Sequence, residues 1–152
     1  MLNKSIKHEF FMQQAYNQAL LGYNVGEVPV GAILVKDEEI IAKAYNKTIA
    51  LRDPTAHAEI LAIRSGSLIV DNYRLNNTKL YVTLEPCIMC LGAMVQARIS
   101  EIIYACDDSR VGCISRKNYH LNKDINHNLK VTGGIMHNSC KELLSVFFNL
   151  KR

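Results

Sequence analysis

The stretch "KLYVTLEPCIMCLGAMVQARISEIIYAC", Lys79 to Cys106, decides the architecture. Its opening "KLYVTLE" is rich in aromatic and branched residues and reads as a strand. Pro86 then opens a helix to about Ala97, since proline at a first helical position lacks only an N–H that would go unpaired there. "SEIIYAC" (100–106) follows as another strand. Upstream, "PVGAILVK" (29–36) and "EIIAKAYN" (39–46) form an antiparallel hairpin around Asp37-Glu38. Before it, residues 7–23 place Phe11, Ala15, Ala19 and Met12, Tyr16, Leu20 at helical spacing. After it, Asp53 can cap a helix whose first residue is Pro54 and which runs to about Ser65. Downstream, Asp107 to about Lys130 is polar and without clear period. A short strand near Leu129 to Thr132 and a helix from about Ser139 to Leu150 close the chain. Strands alternating with helices after a hairpin predict an α/β fold: three layers, α/β/α, with a mixed five-stranded sheet and helices on both faces.

No repeat, linker or low-complexity tract divides the 152 residues, so residues 1–152 read as a single domain. The composition, 49% hydrophobic and 21% charged, is that of a folded chain and excludes disorder. No apolar run reaches signal-peptide or membrane-spanning length, so a cytoplasmic protein without a membrane partner is expected. The five cysteines are an odd number without small-scaffold spacing, which argues against a disulfide framework. Cys106, Cys113 and Cys140 are expected to be buried free thiols. The net charge of +4 is unevenly placed: residues 109–152 hold eight basic and two acidic residues, a net +6. Such a basic third suits a polyanion, although a solvated lysine-rich surface would look the same.

Two short patterns carry chemistry: "HAE", His57 to Glu59, and "PCIMC", Pro86 to Cys90. On a helix Cys87 and Cys90 face the same way, in a first turn where the helix dipole favours thiolate. His57 has the same place on another helix, so two helix amino termini converge on one ion from opposite sides of a strand end. One imidazole and two sulfurs leave the fourth position of a tetrahedral zinc open to water, whereas a structural site is closed by protein. Zinc acidifies that water, and a nearby unligated carboxylate, Glu59, can carry its proton. Cys-x-x-Cys alone is as often structural or redox, and His-x-Glu alone is weak; their combination at two proline-led helix starts is far stronger. His8, His120, His127 and His137 lack ligand spacing and read as surface or loop residues.

At these residues the chain resembles the bacterial tRNA-specific adenosine deaminases, within the cytidine/deoxycytidylate deaminase superfamily. The similarity extends through "EVPVGAILV" (27–35), "NKTIALRDPTAHAEILAIR" (46–64), "NYRLNNTKLYVTLEPCIMCLGAMVQARI" (72–99) and "LLSVFFNLKR" (143–152). It implies a cytidine deaminase-like fold and hydrolysis of adenosine to inosine at the wobble position of a tRNA anticodon. It also implies one zinc per subunit, held by His57, Cys87 and Cys90, with Glu59 as proton shuttle. By the same resemblance Asn46 hydrogen-bonds the flipped base, Asp108 meets the sugar, and the protein is a homodimer. An anticodon stem-loop is a partner that makes base flipping inexpensive, because the bases of its loop are already single-stranded. Phe147 and Phe148 beside Lys151 and Arg152 are candidates for stacking and phosphate contact, Phe148 being the more exposed. The loop "DDSRVGCIS" (107–115) keeps Asp108 and Gly112 but departs from the family at Arg110, Val111 and Cys113.

Two other readings compete. A deaminase of a free nucleobase or nucleoside would use the same zinc and carboxylate. A non-catalytic zinc module that binds RNA would not need Glu59. The basic third and "VFFNLKR" favour an RNA substrate over a small neutral one.

Overall fold

A computed structural model describes residues 3–151. The elements run α1 (Lys4–Asn24), β1 (Gly31–Lys36), β2 (Glu39–Tyr45), α2 (Ala58–Val70), β3 (Thr78–Leu84), α3 (Ile88–Gln96), β4 (Glu101–Cys106), β5 (Lys130–Thr132) and α4 (His137–Leu150). The strands lie in the order β2-β1-β3-β4-β5. β1 pairs antiparallel with both β2 and β3, while β3–β4 and β4–β5 are parallel, so the sheet is mixed as expected. The hairpin turns through Asp37 and Glu38, both at positive φ, the backbone that two-residue hairpin turns require.

Helices cover both faces. A Cβ on Gly31 would lie 1.9 Å from the Ala15 carbonyl of α1, and one on Gly66 of α2 would lie 2.4 Å from Leu34. Gly31 and Leu34 differ by an odd number of residues, so α1 and α2 pack on opposite faces of β1. α4 joins α1 through Tyr23 and Phe147, whose rings lie 6.1 Å apart. α3 packs beside α2. The two helices thought to approach the metal from opposite sides therefore share one face. The core between the layers includes Met12, Ile33, Leu34, Leu80, Ile102 and Ile103, all fully buried. β4 is buried along its whole length, as a parallel strand covered on both faces must be.

Several boundaries shift for physical reasons. α2 begins at Ala58, not at Pro54: Asp53 uses its carboxylate on Thr55 N and Oγ1, making a turn in place of a helical cap. α2 also continues past Ser65 to Val70, because Gly66 is needed for close packing on Leu34 and does not stop the helix. α3 starts at Ile88, two residues after Pro86. His8 is not at the surface: it is buried on α1, with Nδ1 2.8 Å from the Tyr81 hydroxyl. Arg152 lies outside the described residues. Among the described residues no helix is long and apolar enough to cross a membrane.

Candidate active site

The later starts of α2 and α3 make the site. His57 is the residue before α2, extended at φ −74° and ψ 152°, and Cys87 holds the same place before α3 at φ −79° and ψ 173°. Cys90 is then the third residue of α3, the position that a side chain just ahead of a helix reaches. The Cys-x-x-Cys spacing thus sets one sulfur at the helix mouth and the other in its first turn. His57 Nδ1 lies 3.5 Å from Cys90 Sγ and 3.8 Å from Cys87 Sγ. One donor atom from each of the three residues falls within 4.8 Å of the others. Two sulfurs and one imidazole nitrogen suit zinc better than magnesium or calcium, which take oxygen. Cys90 is fully buried behind the group, while His57 and Cys87 remain partly exposed on the cavity side.

Charge follows from this crowding. A hydrogen bond from Cys90 holds the Cys87 thiol down, to about 4, and the same contact with burial pushes Cys90 up. His57 is raised, chiefly by its hydrogen bond with Cys87. Glu59 is 3% exposed, and burial pushes its carboxyl up to about 7, against the opposing pull of Cys90 and His57. A carboxyl poised near neutrality both accepts and returns protons.

A cavity of about 670 Å³ opens at the carboxyl ends of β3 and β4. Its walls include His57, Glu59 and Cys87 together with Asn46, Asp108 and Phe148, so all six converge on one space. Asn46 Oδ1 accepts from Ala58 N at 2.8 Å, capping α2 from outside its own sequence and leaving the amide NH2 for the cavity. Asp108 Oδ1 accepts from Arg110 N and Val111 N, so this residue shapes its loop as well as lining the wall. Phe148 is 40% exposed and Phe147 is buried, as the amphipathic spacing implied.

The basic third is less uniform than its sequence. Arg110 and Lys141 line the cavity. Lys151 instead lies over the Phe147 ring, 5.4 Å from its centre, and Lys130 opens β5 at the other end of the sheet. Cys106, Cys113 and Cys140 are buried free thiols, pushed up by burial to about 11, 12 and 12.

Among the buried carboxylates that sequence reasoning missed, two hold loops beside the cavity. Glu27, 1% exposed, accepts from Thr48 Oγ1, Ile49 N and Ala50 N and so holds the loop after β2. Burial alone would raise Glu85, but hydrogen bonds from Ser115, Ile114 and Asp108 outweigh it and hold the carboxyl below the usual range. The one signal available was an acidic residue beside an apolar run, in "GEVPV" and in "TLEPC".

A mixed sheet whose strand ends carry one imidazole, two sulfurs and a buried carboxyl has the arrangement of the zinc-dependent deaminases. The family model for the cytidine and deoxycytidylate deaminase zinc-binding region matches residues 5–106. A tRNA-specific adenosine deaminase of Haemophilus influenzae is 44% identical over 146 residues, covering 95% of this chain and 84% of that protein. A solved structure from work on A-to-I editing by tRNA:A34 deaminases is 37% identical with a TM-score of 0.85, covering 88% of this chain and 98% of that one. A Bacillus subtilis guanine deaminase structure is 41% identical with a TM-score of 0.63, covering 70% of this chain and 66% of that one. The chain belongs to the cytidine and deoxycytidylate deaminase family and, within it, to the tRNA-specific adenosine deaminases.

Proposed function

We propose that this protein hydrolyses adenosine to inosine, releasing ammonia, at the wobble position of a tRNA anticodon. The observation that carries this reading is the convergence of Asn46, Glu59, Asp108 and Phe148 around the His57–Cys87–Cys90 group in one cavity. His57 Nδ1 and the two sulfurs would hold one zinc per subunit. When bound, zinc acidifies water and so supplies a nucleophile at neutral pH. Glu59 takes a proton from the water that attacks C6 and returns it to the departing amino group, so that ammonia leaves and the carboxylate is restored. Its burial keeps bulk solvent from competing for that proton. Asn46 donates its NH2 to a base acceptor while its oxygen stays on Ala58 N. Asp108 meets the ribose, Phe148 offers an exposed ring for stacking, and Arg110 and Lys141 face the phosphates. A homodimer acting in the cytoplasm completes the proposal.

Deamination of a free nucleobase is the competing use of the same site. The structural likeness favours RNA: the A34 deaminase superposes over more of the chain, and more closely, than the guanine deaminase. The test is to incubate zinc-loaded protein with an anticodon stem-loop bearing adenosine at the wobble position. Inosine in the product is expected. Turnover of free guanine or cytosine with an unchanged stem-loop would move the assignment to the small substrate.

A further inference from the structure

Glu85 takes no part in the reaction described above, yet it is 3% exposed and engaged by four donors. Oε1 accepts from Asp108 N at 3.0 Å and Ser115 Oγ at 2.8 Å; Oε2 accepts from Ile114 N at 2.8 Å and Ser115 N at 2.9 Å. A carboxylate has about four lone-pair sites, and here one loop fills them all. Both ends of residues 108–115 are thus pinned to the same side chain.

The same loop is stitched to the backbone that presents a sulfur ligand. Cys87 and Gly112 form an antiparallel bridge, and Cys113 N and Sγ each lie 3.3 Å from the Pro86 carbonyl. No side chain fits between them: a Cβ on Gly112 would lie 2.5 Å from the Asp108 carbonyl and 2.5 Å from Glu85 Cδ. Glu85, Pro86 and Cys87 therefore form a template on which the far wall of the cavity is laid down. A carboxylate kept for fold stability alone has no need to join the two ends of a cavity wall.

We propose that Glu85 is a positioning residue for the nucleotide: it fixes the loop carrying Asp108 to the turn carrying Cys87, so that substrate contact and metal ligand keep one register. This rests on the cavity being a nucleotide site. Glu85 touches neither the reacting atoms nor the metal group, so its loss should act on binding before chemistry.

Glu85→Gln preserves shape but turns an NH2 toward two donors. Its KM for the stem-loop should rise by about tenfold, with kcat per bound zinc within about twofold of the parent. Hydrogen exchange of the Ile114 and Ser115 amides should accelerate by at least about tenfold, with the amides of β3 and β4 unaffected. Should that variant not fold, Ser115→Ala removes one donor only, and a KM rise of about threefold with unchanged zinc content is expected. A fall in kcat with unchanged KM, or unaltered exchange at residues 114 and 115, overturns the proposal. If the parent protein is inert on the stem-loop, the functional reading fails, and exchange in the zinc-loaded proteins still decides whether Glu85 clamps the loop.

Discussion

Asn46 caps α2 and, in the proposed reaction, donates to the base, two duties that substitution can separate. Its oxygen is the acceptor for Ala58 N, on a fully buried residue at the start of the helix that presents Glu59. Asn46→Ala leaves that N–H buried without a partner, a cost of about 2 kcal/mol for a lost cap of this kind. For a chain of this size that corresponds to a fall in Tm of roughly 4–8 °C. The same change deletes the NH2 donor, so kcat/KM on the stem-loop should drop by a further factor of about 10 to 100. Asn46→Asp restores the acceptor and places negative charge at a helix amino terminus, which is favourable. It should recover most of the stability and none of the activity, because a carboxylate cannot donate to the base. Thermal unfolding of the zinc-loaded variants, followed by stem-loop kinetics, reads both effects. Equal losses of Tm in the alanine and aspartate variants would refute the capping role. Parental activity in either would refute the base contact.

Other consequences are equally open to measurement. Glu59→Ala should keep its metal while losing about 10² to 10⁴ in turnover, the usual worth of a positioned proton carrier; metal analysis with single-turnover kinetics checks both halves. Binding of the stem-loop should weaken with salt at a logarithmic slope of about −1.4, because among the described residues Arg110 and Lys141 are the basic side chains lining the cavity and each single-strand contact is worth about 0.7. A flat salt response would remove them as phosphate contacts. His8 is pulled below its ordinary 6.5 by burial first, then by Lys79, Lys4 and Lys130, against the opposing pull of Glu101. The unfolded chain therefore takes up that proton before the folded one, so stability is lost as pH falls through and below 6.5. Replacing His8 with Gln should flatten the fall of Tm between about pH 6.5 and 5; an unchanged slope would contradict it.

What the sequence disclosed and what it hid follow from the range of the forces involved. The grouping of His57, Cys87 and Cys90 was legible because Cys87 and Cys90 are tied by local helix geometry, and His57 lies two residues from the acidic residue that opens an apolar run. The strand order was not legible, yet hairpin and alternation sufficed for a mixed, doubly covered sheet. The start of α2 was hidden because its cap comes from Asn46, twelve residues away at the end of β2, while Asp53 spends its carboxylate on a turn. The burial of His8 was hidden because its partner Tyr81 lies 73 residues away. The role of Glu85 was hidden for the same reason, beyond the hint of an acidic residue beside an apolar run: its four donors arrive from a polar loop without periodicity, and only the folded chain brings them together. The basic third misled in part, since charge density along a sequence does not say which end of a sheet each lysine reaches.

X-ray absorption at the zinc edge of the loaded protein, parent beside Glu59→Gln, reaches the core of the proposed chemistry. Two sulfurs at about 2.3 Å, one imidazole nitrogen at about 2.0 Å and one light solvent atom are expected, with the spectrum the same in both proteins. A third sulfur, a second imidazole, or a shell that changes when Glu59 is replaced would mean that protein closes the fourth position, and the hydrolytic reading would fall.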